Sequence, residues 1–333
     1  MNNSTLALKQ MITGYWTSQA IYVAAKLELA DKLAGGPKSA EALAAETMTN
    51  PGALFRLLRA LSSVGVFTQQ ADNQFANSPL SDPLRKSAEE SQWAMAVMMG
   101  EEHFAAWGQL LYSIQTGQGS FRKVFGEGVF DFLGKHPEQA KVFDAAMTSI
   151  HGAETKLMND AYDFSVFQTL CDVGGGNGKT LIEVLQRHPQ LQGTLFDLPH
   201  VVERAKPNLE AAGVSNRCQF VGGNFFKKID VRADAILMRH IIHDWDDAKC
   251  VTILKNCRAA LAPGGKVLVV ESVVPVGNEP GFVKWLDLTM LTIPEGKERT
   301  ADEYRELCAA AGLKLTRIVR TAGELDVIEA VPV

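Results

Sequence analysis

The stretch that most restricts this chain is Leu170-Cys171-Asp172-Val173-Gly174-Gly175-Gly176-Asn177-Gly178-Lys179-Thr180. An apolar run enters four closely spaced glycines and leaves as a helix-forming segment. Glycine allows left-handed backbone and lets the chain pass close to a ligand. A strand, a glycine turn and a helix in that order belong to an α/β sheet that binds beyond the carboxyl ends of its strands. Three ligands compete for the loop. A triphosphate loop needs a glycine five places before Gly178, and that place holds Val173. A dinucleotide loop needs its third glycine where Lys179 stands. The remaining pattern, Gly-x-Gly-x-Gly after Asp172, suits a methionine-ribose unit with no pyrophosphate to cradle.

Asp197 supports a nucleoside. It ends the next apolar run, and a carboxylate at a second strand end can bind both hydroxyls of a ribose. From Thr169 onward the hydrophobic pattern predicts seven strands: Thr169–Val173, Gly193–Asp197, Cys218–Gly222, Ala233–Arg239, Lys266–Glu271, Leu313–Val319 and Asp326–Ala330. Helices fit between most of them, as at Lys179–His188, Pro199–Ala212, Ala248–Ala260 and Ala301–Ala311. That alternation is a doubly wound sheet.

The first hundred residues follow another rhythm. Ser39 and Asn50-Pro51 mark helix starts. Leu54, Leu57, Leu58, Leu61 and Val64 repeat at helical spacing until Gly65. Val66–Thr68 and Asn73–Ala76 then predict a small hairpin. This is the outline of a winged helix, which reads DNA or docks onto protein. Only Arg56 and Arg59 are basic on its second helix, and the net charge of the chain is −5, against a nucleic-acid grip. Before it, Tyr15, Trp16, Ile21, Tyr22 and Val23 form an aromatic helix, either core or a subunit interface. Residues 90–165 are helical again and rich in methionine and aromatics, the material of an adaptable apolar pocket wall. The expected organisation is residues 1–100 as a winged helix, 101–165 as connecting helices that wall the pocket, and 166–333 as the catalytic domain.

No run approaches the ~18 apolar residues of a membrane span, and no export leader is visible. Five scattered cysteines without a Cys-x-x-Cys pair suit reduced thiols. A cytoplasmic protein with no membrane and no nucleic-acid partner is expected.

With these motifs the chain resembles the S-adenosylmethionine-dependent O-methyltransferases of the caffeic acid, acetylserotonin and bacterial polyketide type. The resemblance covers nearly the whole chain. It is carried by Asp172 to Gly178, by Phe196-Asp197-Leu198-Pro199-His200-Val201-Val202, by Ile242-His243-Asp244-Trp245, by Pro263-Gly264-Gly265-Lys266 and by Gly296-Lys297-Glu298-Arg299-Thr300. It implies a Rossmann-like class I methyltransferase domain with a seven-stranded, mostly parallel sheet. It also implies an N-terminal winged-helix domain that forms a homodimer, which turns the two readings of residues 1–100 toward protein contact. The cofactor would be S-adenosyl-L-methionine, leaving as S-adenosyl-L-homocysteine, with no metal.

The resemblance also implies roles. Gly174 and Gly176 would lie against the methionine end, Asp197 would take the ribose, Leu198 would also bind the cofactor, and Asn224 and Phe225 would meet the adenine. Asn224 departs from the family's usual Asp. Arg239 would take a cofactor contact where plant members often carry lysine, and the two are not interchangeable. His243 would be the general base, flanked by Glu271 and Glu298. A phenol of pKa about 10 needs such a base at hydrogen-bond distance. Phe143, Met147, Thr289, Met290, Asp287 and Trp107 would contact a flat, small aromatic acceptor. Some alternatives stay open: His240 packed or paired with His243 on a metal, Glu298 as a helix-start carboxylate near Thr300, and Asp244 in the first turn of the next helix. N- or C-methylation on the same scaffold, or a ligand-sensing DNA-binding regulator, are the rival functions.

Overall fold

The structure is a computed structural model that describes residues 3–333, apart from the side chains of 150–153. The chain forms two compact units, Met1–Gln109 with Phe121–Gly152, and Leu110–Ser120 with Ala153–Val333.

In the first unit, Ser39 accepts a hydrogen bond from Ala42 N at 3.2 Å and so caps the helix Ala40–Thr47. Asn50 caps Pro51–Ser63 through Ala53 N at 3.0 Å. These side chains satisfy amides that the helix itself leaves unpaired. Strands β1 (Lys38–Ser39), β2 (Phe67–Gln69) and β3 (Gln74–Asn77) pair in the order β1-β3-β2, which makes the wing. Leu54, Leu58 and Leu61 turn inward onto Leu29, Leu43, Phe67 and Phe75. Val64 of the predicted stripe is half exposed, because the helix has ended and Val64 is its cap. Helix Asn3–Ile12 buries none of its residues, and Tyr15 and Trp16 are 53% and 62% exposed. Phe143 and Met147 pack against Ala94, Met98 and Ala146.

The second unit holds β4 (Thr169–Val173), β5 (Gln192–Asp197), β6 (Cys218–Gly222), β7 (Ala233–Arg239), β8 (Leu261–Glu271), β9 (Leu313–Arg320) and β10 (Asp326–Pro332), in the order β6-β5-β4-β7-β8-β10-β9. The first five run parallel, and β10 is antiparallel to both neighbours. The strand order reverses at β4, so β4 and β7 flank the crevice where such sheets bind. β8 starts at Leu261 rather than at Lys266. Leu261 pairs with Ala233, and the register then shifts before Ala235 meets Lys266. Gly265 makes this possible: a side chain there would meet Asp234 O at 2.9 Å.

Glu329 on β10 is the buried charge that ties the far sheet edge together. It accepts from Tyr162 Oη at 2.6 Å, Thr316 Oγ1 at 2.7 Å, Lys266 Nζ at 2.9 Å and Arg317 Nη2 at 3.0 Å. Burial opposes its charge, but these donors hold its carboxyl down at about 2. A depressed folded pKa stabilises above the ordinary glutamate value of about 4.3, and that stability is lost as pH falls toward 2. Glu329→Gln should therefore destabilise by about 2 kcal/mol at pH 7. Urea midpoints of the two proteins should converge as pH approaches 2.

Candidate active site

The glycine loop leaves β4 with Gly174, Gly176 and Gly178 all in left-handed backbone, at φ +73°, +56° and +81°. A side chain at Gly174 would meet Ile241 Cδ1 at 2.3 Å, and one at Gly178 would meet Leu209 Cδ1 at 2.5 Å. At Gly176 it would meet nothing within 4 Å, so there the loop faces open space. Asp197, at the end of β5, accepts from Gly176 N at 2.9 Å and from Leu198 N at 2.6 Å. Burial raises its carboxyl although both amides oppose the shift. Leu198 is 43% exposed beside it. Under the loop, buried Asp172 is pushed up to about 7 by desolvation, and its Oδ2 has no hydrogen-bond partner. An acceptor carboxylate at Asp197, left-handed glycines and an open face suit a ribose and an amino acid, so the residues present fit an S-adenosylmethionine-type cofactor.

Asn224 follows β6, is exposed, and turns its Oδ1 back to Phe226 N at 2.9 Å. Phe225 stands edge-on to Phe226 at 4.8 Å between centroids and to Trp245 at 6.3 Å. An atom added at Gly174 would lie 3.9 Å from Phe225, so the aromatic cluster borders the loop. Arg239 is engaged by Glu154 Oε2 at 2.9 Å, Thr155 Oγ1 at 2.5 Å and Thr180 Oγ1 at 3.2 Å. It braces the first turn of the helix after the loop against Glu154 and Thr155, partners that sequence reasoning did not supply.

His243 lies in a short turn, Ile242–Asp244, just after β7. Its Nδ1 is 2.7 Å from Glu298 Oε1 and 3.5 Å from Glu271 Oε2. Its Nε2 is 3.7 Å from Asp244 Oδ1. Glu271, at the end of β8, accepts from the amides of Ile241 and Ile242 at 2.9 Å and of His243 at 3.3 Å, which fixes the turn itself. Burial pulls the His243 imidazole down, but Glu271, the bond to Glu298 and Asp244 push it up to about 10. Burial raises Glu271 to about 7 and Asp244 to about 6, with His243 opposing in each case. Glu298 is held in turn: its amide donates to Asp287 Oδ1 at 2.9 Å.

The capping geometry decides two open readings. Thr300 caps its helix in a reciprocal box with Glu303, so Glu298 is not the helix-start carboxylate. The helix after Trp245 is capped by Asp246, which leaves Asp244 beside the imidazole instead of in a first turn. His240 adopts φ +52°, an uncommon conformation for a non-glycine, with Nε2 3.5 Å from Glu154 and Nδ1 3.7 Å from Glu271. Ligand atoms of His240, His243 and Glu271 lie within 4.8 Å of one another. The nearest neighbour of His243 Nδ1 is the Glu298 carboxylate at 2.7 Å, so that nitrogen shares a proton with Glu298.

Asp287 and Met290 lie on the helix Val283–Thr292 of the second unit, Asp287 half-buried and Met290 buried. Trp107, Phe143 and Met147 belong to the first unit. Sequence reasoning missed Arg299. It stands in the quoted Gly296–Thr300 run, which was read only for its glutamate and its threonine.

A family model described as an O-methyltransferase domain matches residues 107–314, and one described as an O-methyltransferase dimerisation domain matches residues 9–87. The chain belongs to this O-methyltransferase family. It is 45% identical to the phenazine O-methyltransferase of Lysobacter antibioticus over 98% of this chain and 96% of that protein. The crystal structure of LaPhzM matches with a TM-score of 0.95 at 44% identity, covering 100% of both chains. An O-methyltransferase from neocarzinostatin biosynthesis, solved with S-adenosylmethionine and 2-hydroxy-5-methyl naphthoic acid, matches with a TM-score of 0.85 at 31% identity over 95% of this chain and 96% of that one. N-methyltransferases are also among its relatives. The chain is thus a small-molecule methyltransferase of class I fold, with S-adenosyl-L-methionine as methyl donor and with the family's dimerisation domain.

Proposed function

We propose that the chain methylates a hydroxyl of a small aromatic metabolite, a hydroxylated phenazine before others, with His243 as general base. The observation that carries this reading is the buried pairing of His243 with Glu298, next to Glu271 and Asp244. With Nδ1 bonded to Glu298, Nε2 is the nitrogen left to take the acceptor's proton. Glu271, the bond to Glu298 and Asp244 raise the imidazole against burial, which makes it a stronger base toward a phenolic proton. Glu271 and Glu298 then stabilise the imidazolium. Gly174, Gly176, Asp197, Leu198, Asn224, Phe225 and Arg239 would hold the cofactor, which supplies an electrophilic methyl group. Trp107, Phe143, Met147, Asp287 and Met290 would orient the ring of the acceptor. The enzyme would work in the cytoplasm as a homodimer joined through its N-terminal domain.

A turnover panel tests the acceptor class. Hydroxyphenazines should be methylated faster than hydroxybenzoates or aromatic amines of similar size. Turnover of the amines alone would overturn the hydroxyl assignment.

The pH dependence follows from the same geometry. The free base is the active form, so kcat/KM should rise with pH toward the alkaline imidazolium pKa. Glu298→Gln removes a carboxylate that holds the proton on His243. Its rising limb should move to lower pH, a shift that a pH–rate profile reads directly.

A further inference from the structure

Arg299 is 1% exposed, and its guanidinium reaches both chain segments that meet at His243 and Glu298. Nε and Nη2 donate to Asp247 Oδ1 at 3.0 and 2.7 Å. Nη1 donates to the carbonyls of Ile242 at 3.1 Å and Lys297 at 3.0 Å. Nη2 also donates to the carbonyl of Trp245 at 2.9 Å and lies 3.4 Å from Cys250 Sγ. Ile242 and Trp245 bracket His243 and Asp244, and Lys297 precedes Glu298. The two segments are also joined directly, by Lys297 N to His243 O at 2.7 Å. No side chain fits at Gly296, where one would come within 1.9 Å of His243 O. The backbone of Arg299 is itself anchored to the sheet end, through Val274 N to Arg299 O at 2.9 Å.

From this we infer that Arg299 is a positioning residue: its planar fork, locked by Asp247, sets the approach of Glu298 to His243. The requirement is geometric. Arginine offers five donors in a fixed plane, and here they span three carbonyls and one carboxylate. Lysine offers three donors from one point and cannot hold both segments. A buried cation is tolerated only while such partners surround it, and its removal would leave the carbonyls of Ile242, Trp245 and Lys297 without this donor.

The inference rests on the reading of His243 as base, and the test separates the two. Arg299→Lys and Asp247→Ala are compared with wild type in kcat, in KM for cofactor and acceptor, and in the NMR titration of the His243 ring. Glu298, Glu271, Asp244 and His240 all face that ring, so the titration reports displacement of any of them. Arg299→Lys should lower kcat ~10- to 100-fold, as expected of a misplacement of about 1 Å. KM for the cofactor should stay within about twofold, and the His243 titration should move to lower pH. Asp247 has a side chain 64% exposed, so its replacement leaves the fold intact if Arg299→Lys does not fold. It should move the same quantities in the same direction, by ~3- to 10-fold in kcat. Wild-type kcat and an unmoved His243 titration in the folded variants would overturn the inference. So would a loss of thermal stability and cofactor binding with the titration unmoved, since that is a structural role only. If the titration moves but His243→Ala keeps full turnover, the positioning stands and the base assignment fails.

Discussion

His243→Ala should lose at least ~100-fold in turnover while its affinity for S-adenosyl-L-methionine stays within about twofold. The asymmetry comes from where the groups stand. The glycine loop and Asp197 lie at the ends of β4 and β5, whereas His243 follows β7 and is bonded to Glu298 at 2.7 Å. Removing the imidazole leaves the loop and its hydrogen bonds untouched. It takes away the group proposed to accept the phenolic proton and leaves Glu271 and Glu298 without the imidazole they face. Steady-state rates together with calorimetric cofactor binding check this. Turnover within about threefold of wild type would remove His243 from the proton-accepting role.

Asp197→Ala should show the reverse pattern, a Kd for S-adenosyl-L-methionine raised ~10- to 100-fold with kcat at saturating cofactor within a few-fold of wild type. Charge-assisted hydrogen bonds are worth about 1.5–3 kcal/mol each, and 1.4 kcal/mol is tenfold in affinity. In the structure the carboxylate holds Gly176 N and Leu198 N, so its loss loosens the open edge of the loop as well as removing the proposed contact to the ribose hydroxyls. Asp197→Asn should fall between the two, because it keeps an acceptor oxygen without the charge. Unchanged cofactor affinity in Asp197→Ala would place the ribose elsewhere.

Much of this site was legible in the sequence because its parts sit at strand ends. A strand followed by glycines, a carboxylate closing the next strand and a glutamate closing β8 are all local patterns, and each was located to within a residue or two. The cap at Ser39 and the helix start at Asn50-Pro51 were visible for the same reason, since an N-cap is a contact within one helical turn. What stayed hidden depends on residues far apart in the chain. Nothing near Arg239 announces Glu154 and Thr155 as its partners. Nothing around Arg299 announces the carbonyls of Ile242 and Trp245. The early start of β8 depends on a register shift against β7, and the left-handed backbone of His240 on a turn built around Glu271. Glu271 and Glu298 were expected beside His243 from the resemblance alone, since no local pattern brings them there. Glu298 stands 55 residues away from the imidazole it bonds.

The most direct test of the account is the position of the transferred methyl group. The enzyme is incubated with S-adenosyl-L-methionine carrying a ¹³C methyl and with a hydroxylated phenazine, and the product is examined by carbon–proton correlation NMR. A labelled methyl on the former hydroxyl oxygen, with one equivalent of S-adenosyl-L-homocysteine, is the predicted result. Label on a ring nitrogen or carbon, with the hydroxyl left free, would contradict it.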